Sequence, residues 1–224
     1  MSDTNLDLLL ASCIHDMKNS IIMILDSVDE LSTSNDNAET NPRHLANLRY
    51  EASRLNNDLM HLLGVFRYEG NNLPVIIDEA EIWDLLNEQY LRNQALIEKY
   101  NHEFTLECDE DEIWYCDSGL LGSVINNIIV NTVRYTKSKI LVKSEIKKGV
   151  LCLSVNDDGA GYPENMLMTD FKPQGIDFRN GSTSLGLYFA ACVAKLHKKQ
   201  DQTGYIELTN GGELGGGLFT IYIP

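Results

Sequence analysis

The N-terminal third of this chain repeats apolar residues at alternating spacings of four and three, and this repeat constrains the fold more than any other feature of the sequence. The first run extends from Leu10 to Leu31 without a break. Such spacing places the apolar side chains on one stripe of an α-helix that packs against other helices. The repeat predicts a long helix over residues 3–31, whose stripe is Leu10, Ile14, Met17, Ile21, Ile24, Val28 and Leu31.

A second helix of the same kind is predicted after the polar residues 32–40. Asn41 and Pro42 supply a capping side chain and a proline at the first helical position. Residues 1–70 are therefore expected to form a helical hairpin. Two helices cannot bury both stripes and the additional apolar residues, so a homodimeric four-helix bundle is expected. The second stripe is Leu45, Leu48, Ala52, Leu55, Leu59, Leu62 and Phe66.

From residue 73 the heptad pattern gives way to short strands that alternate with helices, and we place a domain boundary there. The fold class predicted for the whole chain is α+β: the hairpin of residues 1–70, then an α/β sandwich domain of residues 73–224. Residues 139–147 and 150–156 are expected to form a hairpin that turns at Lys148 and Gly149, and residues 162–180 to form a loop. The other expected elements are strands at 75–77, 104–107, 113–115, 205–209 and 218–223, helices at 79–100 and 184–198, and a helix through 121–136 that is capped by Asp117 or Ser118.

The charge balance of the chain limits its partners. Its 224 residues include 18 Lys and Arg against 33 Asp and Glu, a formal net charge of −15. Nucleic acid is not an expected partner, because binding it requires clustered Lys and Arg. No apolar run approaches the roughly 20 residues of a membrane-spanning helix, and residues 1–4 lack the basic start of a secretory signal. We expect a cytoplasmic protein that inserts into no membrane and whose partners are basic or amphipathic.

Two asparagines stand four residues apart in a strongly apolar helical segment. Asn127 and Asn131 fall on one face of the helix that Leu121, Val124 and Ile128 imply. Amide oxygens on that face can reach a magnesium ion. Buried asparagines alone more often hydrogen-bond to neighbouring backbone, so this pair is informative only in combination with other motifs.

An acidic glycine turn follows about twenty residues later. The uncharged run 150–155 predicts a buried strand, which ends in Asp157-Asp158-Gly159-Ala160-Gly161. Glycines at such a turn allow the backbone to lie close to a flat base. A single turn of this kind is weak evidence, but its order after the asparagine helix is far more specific.

A largely polar pentad, His15-Asp16-Met17-Lys18-Asn19, lies along the first predicted helix. His15 follows the stripe residue Ile14, so its imidazole is expected to project from the flank of the bundle. Asp16 can accept the ring proton at one nitrogen, which leaves the other to attack a γ-phosphate. Asn19 lies one helical turn further on, where an amide can orient a water. Without context, such a pentad is more often a solvated helix face.

Together these motifs resemble the core of a two-component histidine kinase, with a GHKL-type (Bergerat) ATP-binding domain. Residues 15–19 resemble the phosphoacceptor box, residues 121–136 the asparagine box, and residues 157–161 and 181–187 two glycine boxes. The chain departs from the family pattern at Ser20, where a proline is usual, and at Ser184, where a glycine is usual. The aromatic box between the glycine boxes is hard to find.

The resemblance implies a role for each motif. His15 would accept the phosphoryl group, Asp16 would act as the base, and Asn19 would be a phosphatase amide. ATP and Mg²⁺ are the implied cofactors, with Asn131 binding the metal and Asn127 near it. The remaining implied ATP-binding residues are Arg134 and Tyr135 at the phosphates, Asp157, Gly159 and Gly161 at adenine, and Ser184, Leu185 and Gly186 in the second glycine box.

The resemblance implies a protein histidine kinase that autophosphorylates on His15 and passes the phosphoryl group to an aspartate of a response regulator, which it would also dephosphorylate. Because the resemblance covers nearly the whole chain, we expect a separate sensor protein to act in trans. Two alternatives stay open. One is a histidine phosphotransferase with a degenerate ATP domain, which intact Asn131 and Asp157 disfavour. The other is a non-catalytic dimeric adaptor, which would leave the placement of those residues unexplained.

Overall fold

The computed structural model describes residues 3–33, 41–167 and 183–224 of the chain. They form two compact units, with a division between Asn71 and Asn72, and residues 183–186 group with the first unit. The first unit contains helix α1 (Asp3–Thr33) and helix α2 (Asn41–Glu69), which pack against each other. The two predicted helices of the hairpin are thus present, within two residues of their expected limits.

Within one chain, the hairpin buries side chains that lie beside the predicted stripes. Cys13 and Ser20, seven residues apart on α1, are buried, whereas the stripe residues Ile14 and Ile21 are 61% and 46% exposed. On α2 the buried positions are again heptad-spaced. They are largely polar: Glu51, Asp58, His61 and Val65.

The second unit contains a mixed five-stranded sheet with the order β2-β4-β5-β9-β8. Only β2 and β4 are parallel, and the other neighbours are antiparallel. A separate two-stranded sheet pairs β1 with β3 in antiparallel register. The strands are β1 (Asp78–Glu81), β2 (Glu103–Glu107), β3 (Ile113–Cys116), β4 (Lys139–Lys147), β5 (Val150–Asp157), β6 (Lys198–Lys199), β7 (Gln202–Thr203), β8 (Tyr205–Asn210) and β9 (Gly217–Ile223), of which β6 and β7 pair with each other.

Three helices accompany these strands: α3 (Ile82–Lys99), α4 (Ser118–Tyr135) and α5 (Thr183–Leu196), with a 3₁₀ turn at Glu164–Met166. Along α4, Leu121, Ile125 and Ile129 are buried at spacings of four, as the apolar pattern predicts. A polar bridge joins α3 to α4, because Asn93 Nδ2 donates to Asn126 Oδ1 at 2.9 Å. This buried hydrogen bond fixes the position of one helix along the other.

The predicted elements differ from the structure at one misplaced strand and at two strands that were not expected, β6 and β7, of which β6 begins at Lys198, the expected last residue of the helix 184–198. Residues 75–77 were expected to be a strand and residues 79–100 a helix, but β1 occupies Asp78–Glu81 and α3 begins at Ile82. The charged residues of β1 have low strand propensity, and pairing with β3 overrides that propensity. By contrast, the β4–β5 hairpin is confirmed. Its turn at Lys148 and Gly149 has φ values of 53° and 77°, as two-residue hairpin turns require.

Candidate functional site

The asparagine pair lies on α4 as expected. The helix begins behind Asp117, whose Oδ1 accepts a hydrogen bond from the Leu120 N–H at 2.9 Å. One turn apart, Asn131 Nδ2 donates to Asn127 Oδ1 at 3.4 Å. Asn127 Nδ2 is buried and has no hydrogen-bond partner among the described residues. A buried amide in this state is costly, so the site is suited to a polar ligand.

The Asp157 carboxylate is held rigidly at the end of β5. Its Oδ1 accepts from the Gly159 N–H at 2.6 Å and from the Gly217 N–H at 3.1 Å. The side chain is buried. Because two backbone donors from two different segments converge on Oδ1, the second oxygen, Oδ2, is held in a fixed direction and takes no part in these two bonds.

Close backbone packing around this carboxylate explains why residues 159 and 216 are glycines. A Cβ at Gly159 would overlap the Tyr135 carbonyl oxygen, and a Cβ at Gly216 would overlap the Asp157 side chain. The carboxyl end of α4 is thus in contact with the Asp157 turn. Since Tyr135 lies one helical turn beyond Asn131, the asparagine and glycine motifs belong to one site within the second unit.

Asp158, which the sequence analysis assigned no role, anchors the connection between α4 and β4. Its carboxylate accepts hydrogen bonds from the Thr136 and Ser138 hydroxyls, both at 2.6 Å, and from the N–H groups of residues 137–139. Burial raises the pKa of Asp158, but the hydrogen bonds from Ser138 and Thr136 outweigh it and hold the pKa well below its usual range. Asp158 therefore keeps α4 and the Asp157 turn in register.

Tyr162 and Asn210 form a second connection that the sequence analysis did not identify. The Tyr162 N–H donates to Asn210 Oδ1 at 2.7 Å, and Asn210 Nδ2 donates back to the Tyr162 carbonyl at 2.8 Å. Gly161 has φ +81°, and a Cβ there would meet Asn210 Oδ1 at 2.6 Å. The pKa of Tyr162 is raised by burial and then by the charge of Asp157. Tyr162 is consequently a wall of the Asp157 site.

His197 connects α5 to the start of α4. Its Nδ1 donates to the Val193 carbonyl at 2.8 Å, and its Nε2 accepts from the Asp117 N–H at 3.0 Å. Burial lowers the pKa of His197, which matches the neutral ring that these two bonds require. The histidine has a positioning role in the second unit, since it holds the N-terminal cap of the asparagine helix.

His15 and Asn19 lie on the solvent-exposed side of α1 in the first unit. Asn19 Nδ2 is 3.3 Å from His15 Nδ1, so the two side chains contact each other across one helical turn. Ser20 is fully buried, and its Oγ has no hydrogen-bond partner among the described residues. The side chain of Asp16 lies outside the description. The exposure of His15 is compatible with approach by another protein or domain.

The second glycine box is described only in part. Gly181 and Ser182 lie outside the described residues, as does the Ser184 side chain. Leu185 and Gly186 are buried in the first turn of α5. Across the described residues, no helix is long and apolar enough to cross a membrane. The same part of the chain contains no group of three His, Cys, Asp or Glu residues that could hold a metal ion.

The chain is similar to several known proteins. Residues 116–224 match the family of histidine kinase-, DNA gyrase B- and HSP90-like ATPases. Sensor histidine kinase CpxA of Escherichia coli (strain K12) is 26% identical over 192 residues, which are 81% of this chain and 40% of CpxA. The chain therefore spans less than half the length of that relative.

Two solved structures share the fold. The Acinetobacter baumannii histidine kinase AdeS matches with a TM-score of 0.67 at 19% identity, over 93% of this chain and 96% of AdeS. Histidine kinase ThkA, in complex with response regulator protein TrrA, matches with a TM-score of 0.62 at 24% identity, over 96% of this chain and 60% of ThkA. These similarities confirm the predicted α+β architecture of helical region and sandwich domain.

Proposed function

We propose that this chain is a two-component histidine kinase core. It would transfer the γ-phosphoryl group of ATP to His15 and then to an aspartate of a response regulator. The observation that carries the proposal is the fixed Asp157 carboxylate, which lies in a turn that contacts the end of the asparagine helix through Gly159. The structure of ThkA with a response regulator supports the choice of partner.

Asp157 would recognise the adenine base. Its Oδ1 is occupied by two backbone N–H groups, which aim Oδ2 as an acceptor for the exocyclic amino group of adenine. Guanine presents a carbonyl oxygen in the equivalent place and would meet a second acceptor. The role we propose for Gly159 and Gly161 is to allow close backbone packing at this turn. Ser184, Leu185 and Gly186 would face the phosphates from the start of α5.

The phosphate end of the site would be formed by α4. Asn127 and Asn131 suit Mg²⁺, because amide oxygens are hard ligands. The buried Asn127 Nδ2, which has no partner within the described chain, would donate a hydrogen bond to a phosphate oxygen. The ion, when bound, would neutralise charge on the phosphates. Arg134 and the exposed Tyr135 would donate hydrogen bonds to phosphate oxygens.

His15 would be the nucleophile. Its Nε2 lone pair would attack the γ-phosphorus, the bond from that phosphorus to the bridging oxygen would break, and ADP would leave with the electron pair. Asp16 would remove the Nδ1 proton. The Asn19 amide lies beside this ring, with its Nδ2 3.3 Å from His15 Nδ1. Once a regulator is phosphorylated, the same amide would orient the water that hydrolyses the aspartyl phosphate.

The hairpin would act as a homodimer. In one chain the stripe residues Ile14, Ile21 and Val28 of α1 and Phe66 of α2 are exposed, whereas polar residues are buried. Packing two hairpins stripe to stripe would bury these apolar side chains in a four-helix bundle.

The test is incubation of the full chain with γ-labelled ATP and magnesium, followed by acid and alkali treatment, since phosphohistidine is acid-labile and alkali-stable. His15→Gln should abolish labelling while nucleotide binding stays unchanged, because His15 lies outside the ATP-binding unit. Asp157→Asn should weaken ATP binding by about tenfold or more, as loss of a charged acceptor does. Labelling of His15→Gln at another nitrogen would refute the assignment of the acceptor.

The phosphotransferase alternative predicts a different result: no labelling from ATP, but labelling of His15 by a phosphorylated regulator. Asn19→Ala tests the proposed hydrolytic role on the same preparation. It should slow loss of phosphate from the regulator more than it slows labelling of His15. Equal losses of both activities would point to a damaged bundle.

A further inference from the structure

One face of the two-stranded sheet combines apolar and acidic side chains. In the β1–β3 register, Glu79 lies opposite Tyr115 and Glu81 lies opposite Ile113, so these four residues share a face. Ile77 precedes β1 and continues the same alternation. We call Ile77, Glu79, Glu81, Ile113 and Tyr115 the ribbon face.

The apolar members of the ribbon face are well exposed. Ile77 is 49%, Ile113 48% and Tyr115 63% exposed, although such side chains usually occur in sheet interiors. Apolar side chains gathered on one exposed face, with a polar rim, commonly mark interaction surfaces.

The backbone that presents this face is held in place. The opposite face of the ribbon buries Ala80 and Cys116. Ahead of β1, the Ile76 N–H donates to Asp117 Oδ2 at 2.8 Å, which fixes the extended segment that carries Ile77. The Tyr115 hydroxyl donates to Glu79 Oε2 at 3.0 Å, so the ring and the carboxylate are arranged together. The ribbon face is thus a preformed surface.

The charge of the segments that carry the ribbon face has a single sign, and Lys199, which lies over the Trp114 ring, is on the opposite face of the ribbon. No lysine or arginine occurs in the sequence between Arg67 and Arg92 or between Lys99 and Arg134, the segments that contain β1 and β3. Besides Glu79 and Glu81, the exposed residues 109–111, all acidic, lie just before β3. Phosphate-rich ligands and anionic membranes would be repelled by such a surface, whereas lysine and arginine side chains would be attracted.

We propose that the ribbon face is a docking site for a basic segment of a partner protein. Apolar side chains of that segment cover Ile113 and Tyr115, and its lysines or arginines pair with Glu79 and Glu81. The site is separate from phosphoryl transfer, because none of its residues belongs to the asparagine pair, the Asp157 turn or the His15 helix. The proposal therefore stands or falls independently of the kinase function.

The test uses two synthetic ten-residue peptides of equal charge, one alternating Lys with Val and the other alternating Lys with Ser. Each is titrated into the full chain by calorimetry at low and moderate salt. The Lys–Val peptide should bind about tenfold more tightly, because only it can cover the apolar side chains. Both affinities should fall as salt rises, since the carboxylates supply the attraction.

Variants locate the binding. The double variant Ile113→Ser, Tyr115→Ser should weaken the Lys–Val peptide by about tenfold and leave the Lys–Ser peptide unchanged. The matched control is Ile146→Ser, which removes an apolar side chain of similar exposure, 52%, from β4 outside the ribbon face. Tyr115→Phe keeps the ring and should retain most of the binding. Glu79→Gln with Glu81→Gln should weaken both peptides.

Two results would overturn the proposal. One is equal affinity for the two peptides with no loss in the Ile113 and Tyr115 double variant, which would mean that only net charge attracts them. The other is saturable binding of a DNA duplex at the same face, which would assign it to nucleic acid. His15 labelling, measured on the same variants, should be unchanged whichever peptide result is obtained.

Discussion

The two units of this chain treat their apolar residues in opposite ways. In the second unit Ile125, Leu153 and Phe219 are fully buried, and the carboxylates that it encloses accept specific hydrogen bonds. In the hairpin the apolar stripe residue Ile21 is exposed, whereas Ser20 beside it is buried. The second unit buries its apolar core within a single chain. The hairpin leaves its apolar stripe exposed, so its stability is expected to depend on packing against a second copy.

The contrast can be measured unit by unit. Both tryptophans of the chain, Trp83 and Trp114, lie in the second unit. Tryptophan fluorescence therefore reports the unfolding of the second unit alone, while far-ultraviolet circular dichroism reports the helices of both units. A substitution in the second unit should move both signals, whereas one in the hairpin should move only the part of the dichroism change that has no counterpart in fluorescence.

The largest effect should come from a charge on the apolar stripe. Ile21→Asp would bury a carboxylate against the partner hairpin, costing several kcal/mol per chain, so the dimer should dissociate and the helical signal should melt earlier. Met23→Asp is the matched control, because Met23 is 50% exposed against 46% for Ile21 but lies off the stripe. Sedimentation and circular dichroism measure both. Equal, small effects of the two substitutions would contradict the dimeric bundle.

The next effect should be a loss of hairpin stability in acid. His61 on α2 is buried, and burial lowers its pKa from 6.5 to about 4. The unfolded chain therefore binds more protons than the folded chain between pH 6.5 and 4, and stability falls as the pH falls through that window. The full loss for this shift is about 3 kcal/mol.

Thermal melts at pH 7.5, 5.5 and 4.5 check this prediction by circular dichroism. His61→Leu should remove most of the pH dependence, because it leaves an uncharged side chain of similar size. Glu51 and Asp58 remain in that variant, so the difference between it and the natural chain isolates the histidine. A pH dependence that is the same in both proteins would assign the effect to the carboxylates.

A smaller loss of stability is expected in the second unit, where it would come from steric overlap rather than from a buried charge. Gly216→Ala would place a Cβ at 2.6 Å from the Asp157 carbonyl oxygen and from the Gly159 nitrogen, and the backbone must shift to relieve both contacts. We expect a loss of about 2 kcal/mol in the tryptophan-monitored transition and weaker ATP binding. Gly119→Ala is the control. Its Cβ would lie 3.5 Å from the nearest atom, so stability should be kept or slightly raised.

Local patterns in the sequence predicted the elements whose geometry is set within a few residues. The β4–β5 turn at Lys148 and Gly149 and the helix cap expected at Asp117 or Ser118 are of this kind. The structure confirms the turn and has the cap at Asp117. The asparagine pair was found because residues four apart share a helix face. These features need no knowledge of distant parts of the chain.

The features that the sequence analysis missed depend on distant contacts. Asp158 binds groups about twenty residues earlier in the chain, and Tyr162 pairs with Asn210, 48 residues later. No periodicity encodes such pairs. Likewise β1 forms where it meets β3, not where local propensity is highest. The buried polar face of the hairpin was not predicted for another reason. An apolar stripe shows which side of a helix packs against other helices, but it does not show whether those helices belong to the same chain or to a second copy.

The smallest effect should come from the surface ion pairs of the second unit. Lys143 Nζ lies 3.0 Å from Glu213 and 3.3 Å from Glu145, and the hydrogen bonds that it donates to these carboxylates raise its pKa. Water and salt screen such pairs, so Lys143→Met should shift the tryptophan-monitored melting temperature by less than about 2 °C, and by less still at high salt.

The hairpin offers the contrasting ion pair. Arg54 Nη1 lies 3.3 Å from Glu51 Oε2, and the side-chain exposures of 17% and 5% leave this carboxylate far less hydrated than those around Lys143. Arg54→Met would leave the buried Glu51 without this guanidinium, so the helical signal should lose several times more stability than the second unit loses through Lys143→Met. Similar stability losses for the two variants would contradict this. They would mean that water reaches Glu51 as freely as it reaches the carboxylates around Lys143. The buried polar interior of the hairpin would then not distinguish it from the second unit.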